Sequence, residues 1–185
     1  ISVVVLVGMV FQIFNVQIGL YGKLSMLLKG IRPNDLLSSP DAFRHLYVWS
    51  GIWQDTGWAT IIYIAALSGV DTDLYEAAEI DGASRFKKLL HIDLPTILPT
   101  ISIMLILQSG SIMDIGFEKV YLMQNNLNLS TSEVISTYVY KVGLAAGGGD
   151  FSYATAIDFF NSLVNFLIIV TVNQISKMVS DTSLW

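Results

Sequence analysis

Three groups of residues have types and spacings that could support chemistry. The first is a run of acids among small residues: Asp73, Glu76, Ala77, Ala78, Glu79, Asp81, Gly82 and Ala83, followed by Ile92, Leu94 and Pro95. Its carboxylates offer acceptors to a basic partner, and its small side chains let another backbone approach closely. The second group is polar but sits inside apolar stretches: Gln54, Asp55, Gln108, Ser109, Ser111, Asp114, Asp158, Asn161, Asn165 and Asn173. In a membrane helix a central charge costs about 2.5–3.5 kcal/mol on insertion scales, so such groups face a bundle interior or water. Asp158, Asn161 and Asn165 recur at helical spacing on one face. The third group is His45 and His91, which lack metal-ligand spacing and read as interfacial residues at span edges.

Several chemistries are excluded. Without a cysteine there is no disulfide, Cys-based zinc site, Fe–S cluster or thiol nucleophile. There is no G-x-x-x-x-G-K-[ST] phosphate loop: Gly147-Gly148-Gly149-Asp150 lacks the Lys and the Ser or Thr and reads as a flexible loop. A net charge of −5 and a pI near 4.8 argue against a nucleic-acid-binding surface. No metal or nucleophile–base constellation is visible.

Membrane helices must position these residues. Of the 185 residues, 53% are hydrophobic and 14% charged, with a mean hydropathy of +0.59. Soluble domains carry roughly 25% charged residues, so the class left is a polytopic, all-α membrane bundle. A spanning helix needs about 20 mostly apolar residues. Four stretches qualify: Ile1 to about Leu20, about Leu46 to Val70, about Thr96 to Asp114, and about Ala154 to Met178. Ile1 opens directly into an apolar run, so the chain is expected to be the back part of a longer protein, with Ser176–Trp185 as its natural end. Tyr21–His45 is expected to be loop with at most short helices, and Ile115–Tyr153 mixed, with turns at Gln124–Asn126. Lys23, Lys29, Arg32 and Arg44 against Arg85, Lys87 and Lys88 slightly favours the connector Tyr21–His45 as cytoplasmic.

The acidic run lies in the connector at about 71–95 and predicts two short helices. Asp73 can cap a helix whose third residue is Glu76. Gly82 ends it, because glycine takes the left-handed conformation at little cost. Ser84 caps a second helix with Phe86, Leu89 and Leu90 on one apolar face. Arg85, Lys87 and Lys88 are expected at headgroups or in solvent, and Pro95 and Pro99 to steer the chain back into the membrane. On these grounds alone, a lipid-facing connector with an acidic cap is as good a reading as a docking element.

The segment also fits a longer pattern: EAA, three residues, G, nine residues, I, one residue, LP, met by Glu76-Ala77-Ala78, Gly82, Ile92 and Leu94-Pro95. It resembles the EAA loop of permease subunits of binding-protein-dependent ABC importers. Tyr47–Gln54, Gly116–Lys119, Val134–Tyr138 and Thr182–Trp185 resemble the carbohydrate-uptake branch, maltose-transporter-like and nearest the LplB type, and the resemblance covers essentially the whole chain.

The resemblance implies a type I importer (MetI-like) permease fold forming a single transmembrane domain over 1–185, with the last four of six core helices present. It implies a multi-pass protein of the bacterial plasma (inner) membrane, a cytoplasmic EAA loop against the charge count, outside connectors Tyr21–His45 and Ile115–Tyr153, and Trp185 inside. The implied partners are ATPase subunits, a related but not identical second permease subunit, an extracellular substrate-binding protein and the lipid bilayer. ATP and Mg would be bound by the ATPase, with no cofactor on this chain. By motif position Glu76 and Asp81 face the ATPase, Ala77, Ala78 and Ala83 pack in its cleft, and Gly82 forms the turn, followed by Ile92, Leu94 and Pro95. Gln54, Asp55, Gln108, Ser111, Asp158, Asn161 and Asn165 would line a sugar path, with Trp53, Tyr63, Phe159 and Phe160 available to sugar C–H faces. Each of these polar residues is also a natural helix-to-helix contact. The alternative is a proton-coupled secondary transporter using Asp55 and Asp158; an intramembrane enzyme pairing the same acids is a third reading.

Overall fold

A computed structural model describes residues 2–145 and 149–180. Among the described residues the chain is helical, with no strand: α1 Val3–Phe14, α2 Leu20–Lys29, α3 Pro40–Leu67, α4 Thr72–Ile80, α5 Arg85–Lys88, α6 Leu94–Ser109, α7 Phe117–Met123, α8 Leu129–Ser132, α9 Ile135–Tyr140 and α10 Phe151–Ser180. Short π-helical turns occupy Leu89–Asp93 and Lys141–Ala145. Thr182–Trp185, Gly147 and Gly148 lie outside the described residues. The backbone groups into two compact units, one of Ile1–Asp55 with Asp114–Phe160, the other of Thr56–Met113 with the chain from Asn161 onward.

In the first unit, α1 buries Leu6, Val7 and Val10. Val7 and Val10 join Phe43 of α3 and Val120 and Met123 of α7 in one apolar cluster. The expected first span does not run on to Leu20. It stops at Phe14 because the Asn15 side-chain oxygen accepts from the backbone N–H groups of Gln17 (2.8 Å) and Ile18 (3.0 Å). Such an Asx turn offers the backbone an alternative to the helix. α3 begins at Pro40, earlier than Leu46, with proline where its missing N–H costs no helical hydrogen bond.

A buried asparagine organises the connector after α7. Asn128 is fully buried; its amide donates to the carbonyls of Leu37 and Met123 (3.1 Å each), and its oxygen accepts from Asn125 N–H and Ser132 Oγ (2.9 Å each). Asn125 Nδ2 donates to Leu37 O (3.1 Å) and Thr131 Oγ1 to Pro40 O (2.8 Å), so the segment before α3 is tied to this connector.

In the second unit, Arg85 to Ser109 forms one 25-residue helical run. Pro95 and Pro99 therefore do not divide it. A proline at position 95 cannot bond the carbonyl four residues back and crowds it. The turn just before it widens to a π-helix, in which Leu94 N–H donates to Leu89 O. At roughly 1.5 Å per residue the run exceeds the roughly 30 Å of a bilayer core. It and Phe151–Met178 are the two helices long and apolar enough to cross a membrane among the described residues. The first ends at Ser109, so Ser111 and Asp114 lie beyond the helix rather than late in a span. The Asn165 side chain accepts from Met113 N–H at 3.2 Å and holds the turn that follows.

Candidate functional site

The connector between α3 and α6 folds as a closed hairpin. Its cap is Asp71, whose Oδ1 accepts from Asp73 N–H at 3.0 Å; Asp73, the expected cap, lies inside the first turn. Both are acids at the positive end of α4, so the shift of two residues preserves the physical reason. The other end closes with two reversed hydrogen bonds, Gly82 N–H to Glu79 O (3.0 Å) and Ala83 N–H to Ala78 O (2.8 Å). That pair is a Schellman motif, and it requires Gly82 at φ +70°, where a side chain would be strained. Ser84 then caps α5 through Lys87 N–H at 3.4 Å.

Two side-chain ties join the arms. Lys88 Nζ pairs with Glu79 Oε1 at 2.7 Å, and the Tyr75 hydroxyl donates to Asp93 Oδ1 in the π-turn. The hydrogen bond from Lys88 holds the Glu79 carboxyl below its ordinary range, and the bond to Asp93 raises the Tyr75 phenol. Lys88 is thus not a free surface charge: its side chain is 15% exposed. Glu79, though exposed, is likewise already engaged, which leaves Glu76 and Asp81 as the exposed acids of the EAA segment outside the two ties. Ala77 and Gly82 are exposed beside them, Ala78, Ala83 and Ile92 are half-buried, and Leu94 and Pro95 are exposed. Ala78, Ala83, Lys87, His91 and Ile92 line a shallow concavity of about 300 Å³. Ile80, Leu74 and Phe86 are 88%, 51% and 68% exposed, so the hairpin's ties leave a large apolar surface uncovered.

The polar residues of the spans are distributed over both units. Asp55 is exposed and Gln54 half-buried in the first. Asp158, also there, is exposed and lines a cavity of about 360 Å³ that does not include Asp55. In the second unit Ser111 Oγ donates to Gln108 O at 3.2 Å, Asn161 is half-buried, and Asn165 is 7% exposed on its bond to Met113. Of the expected aromatic residues, Trp53 lines an apolar cleft with Leu6, Val10 and Trp49, and Phe159 and Phe160 are exposed.

Lys119 escaped the sequence reading of the spans. It is 6% exposed, donates to Tyr47 O at 2.9 Å and lies 4.6 Å from the Tyr47 ring centroid. Burial pushes its ammonium below the usual lysine range, and the negative charge of Asp55 opposes that. A Cβ on Gly51 would come within 3.1 Å of Lys119 Nζ, so glycine there makes room for the cation. The signal available was a lysine inside the apolar helix Phe117–Met123.

Comparison with known proteins bears on the whole arrangement. Residues 2–180 match the family described as binding-protein-dependent transport system inner membrane component. Protein LplB of Bacillus subtilis (strain 168) is 43% identical over 185 residues, 100% of this chain and 57% of that protein. The polygalacturonan/rhamnogalacturonan transport system permease protein YteP of the same strain is 39% identical over 184 residues, 100% of this chain and 56% of that one. The chain thus spans a little over half the length of these relatives. A crystal structure of a bacterial ABC transporter involved in import of the acidic polysaccharide alginate superposes with a TM-score of 0.91 at 34% identity, covering 97% of this chain and 62% of that one.

Proposed function

This chain belongs to the binding-protein-dependent transport system inner membrane components, and from that premise we propose that it is part of the permease subunit of an ATP-driven oligosaccharide importer. The observation that carries the reading is the hairpin: an acidic helix closed at Gly82, with Glu76, Ala77, Asp81 and Gly82 exposed at the EAA positions. Glu76 and Asp81 bond a basic surface on a separate ATPase subunit. Ala77, Ala78 and Ala83 admit that surface closely, and Ile92, Leu94 and Pro95 carry the movement into α6. The ATP and Mg sites belong to that ATPase. A substrate-binding protein delivers the sugar on the outer side of a bacterial plasma membrane, and a related second permease completes the pathway. The domain is single, with its coupling loop at about 71–95.

Transport follows from differential contacts in two states. Closure of the ATPase pair displaces the docked hairpin, and the ties Glu79–Lys88 and Tyr75–Asp93 make the hairpin move with the start of its helical run. Gln54, Asp55, Gln108, Ser111, Asp158, Asn161 and Asn165 supply hydrogen-bonding groups along the path. No observation favours the proton-coupled use of Asp55 and Asp158. The test is sugar uptake into vesicles holding the complete importer. Uptake that requires ATP and survives collapse of the proton gradient is expected; uptake that needs the gradient and not ATP overturns the reading.

A further inference from the structure

Residues 2–34 carry Lys23, Lys29 and Arg32 and no acid, in a chain whose net charge is −5. The three cations lie on α2 and the turn after it. With 10 residues at roughly 1.5 Å each, α2 reaches about half of the roughly 30 Å of a bilayer core, so it does not span one. One side of it is packed. Gly22 is buried, and a Cβ there would come within 2.0 Å of Val16 O, so glycine lets α2 lie directly on the Asx turn at Asn15. The Phe14 and Tyr21 ring centroids, 6.1 Å apart, join the end of α1 to the start of α2. The other side is uncovered among the described residues. Leu20, Leu24, Leu27 and Leu28 recur at helical spacing, and all are exposed, Leu27 at 85%.

The chain then turns back on this helix. Gly30, at φ +66°, donates its N–H to Met26 O at 3.0 Å, and Ser25 Oγ donates to Ile31 O at 3.0 Å. Between α2 and the returning segment lies a cavity of about 550 Å³, within the roughly 300–1,000 Å³ of small-ligand clefts. Leu24 and Leu28 supply apolar wall, Lys29 and Arg32 both line it, and Asn34 adds an amide. No acid is among its lining residues. The next acid along the chain, Asp35, is turned to Leu37 N–H (3.0 Å) and Ser38 Oγ (2.7 Å). The ion pairs among the described residues are Lys88–Glu79 and Lys141–Glu133, so Lys29 and Arg32 are exposed and unpaired.

Two unpaired cations beside an uncovered apolar helix face suit an amphiphile with an anionic head. We propose that α2 lies in the membrane interface and that the cavity at Lys29 and Arg32 binds the phosphodiester headgroup of an anionic phospholipid. The guanidinium and the ammonium meet the phosphate oxygens, the Asn34 amide donates a further bond, and Leu24, Leu27 and Leu28 lie against the acyl chains. A helix with basic residues beside a leucine face is of the kind that rests in the plane of the interface. A zwitterionic lipid carries the same phosphate but adds an ammonium, which finds no acid in this wall, so the anionic lipid is selected. The inference goes beyond the importer reading and does not need it, because both faces of a bilayer present headgroups. It also gives a role to the cations of the connector Tyr21–His45, which the resemblance puts outside against the usual lysine and arginine bias.

The test uses the full-length protein in nanodiscs of equal parts phosphatidylcholine and phosphatidylglycerol. One lipid or the other carries a photoreactive diazirine at the top of an acyl chain, and adducts are located by peptide mass spectrometry. The wild type is expected to give adducts on residues 20–34, with phosphatidylglycerol in excess over phosphatidylcholine. Lys29→Gln and Arg32→Gln, both at exposed positions, should each lower the phosphatidylglycerol yield by about fivefold, and Arg32→Lys should restore it. Leu27→Gln should lower the adducts of both lipids alike, which separates the apolar face from the headgroup site. Equal yields of the two lipids in the wild type, or a yield unmoved when both cations are replaced, overturns the proposal. Absence of adducts from either lipid shows that protein covers this face and overturns it as well. Loss of the phosphatidylglycerol excess on adding inorganic phosphate at constant ionic strength assigns the cavity to a free anion instead and equally overturns it.

Discussion

The hairpin at Thr72–Asp93 and the connector at Phe117–Ala145 are both made of short helices, yet they are held in opposite ways. The fixing bonds of the hairpin join residues of the hairpin and its cap to one another: Asp71 to Asp73, Gly82 to Glu79, Ser84 to Lys87, Glu79 to Lys88 and Tyr75 to Asp93. The connector is fixed from far away in sequence, by Asn125 and Asn128 on Leu37, Thr131 on Pro40 and Lys119 on Tyr47. A locally closed element can be displaced as a unit without breaking its own bonds. A remotely pinned one is rigid only while its partners stay in place. That contrast is what the proposed coupling role asks of the hairpin.

The largest effect should follow from breaking the connector's hub. Asn128→Ala removes the partner of the Met123 carbonyl, the Asn125 N–H and the Ser132 hydroxyl, while Leu37 O keeps Asn125 Nδ2; a buried polar group left unpaired costs about 1–3 kcal/mol. A loss on the order of 3 kcal/mol is expected, read as a lower unfolding midpoint of the full-length protein in detergent. A change no larger than that of an exposed surface alanine would remove the distinction between the two regions.

Lys119 comes next. Lys119→Ala should cost about 2 kcal/mol, through lost stem packing and the lost hydrogen bond to Tyr47 O. Because burial lowers the Lys119 pKa in the folded state, the unfolded chain binds the proton more tightly. Stability should therefore rise with pH through the window below the ordinary lysine value, and Lys119→Met should flatten that slope. An unchanged pH profile in Lys119→Met would show that the ammonium is not what burial penalises.

Within the hairpin the effects should be smaller and local. Gly82→Ala places a side chain at φ +70° and should cost about 1 kcal/mol, seen as faster hydrogen exchange of the Gly82 and Ala83 amides rather than as global unfolding. The Glu79–Lys88 tie should give the smallest change. The Glu79 pKa is depressed in the folded state, so the tie is complete above the ordinary glutamate value and is lost as pH falls through the lowered one. Glu79→Gln should abolish that acid-side loosening of the hairpin amides and do little else.

The same contrast explains what the sequence made legible. Caps and turns are short-range, so Ser84, Gly82 and the acidic helix could be read from spacing, with an error of two residues at Asp71. The EAA spacing then identified the family on which the comparisons agree. The Asx turn at Asn15 was missed because a lone asparagine in an apolar run also reads as a polar residue within a span. The π-turn before Pro95 was missed because a proline ordinarily reads as a boundary, and only the observed bonds show the helix widening to accommodate it. Asn128, Lys119 and the cavity beside Asp158 depend on pairings with distant residues. Nothing local marks Leu37, Tyr47 or Phe117 as those partners.

The central claim is that the hairpin is the docking element for a separate ATPase. The most direct measurement is co-purification from the native membrane of the tagged full-length protein, wild type against Glu76→Lys. Glu76 is exposed and outside the hairpin's own ties, so its substitution leaves the fold intact. The account predicts an ATPase subunit that comes down with the wild type and is released by Glu76→Lys at unchanged permease yield. An ATPase retained equally by both would contradict it.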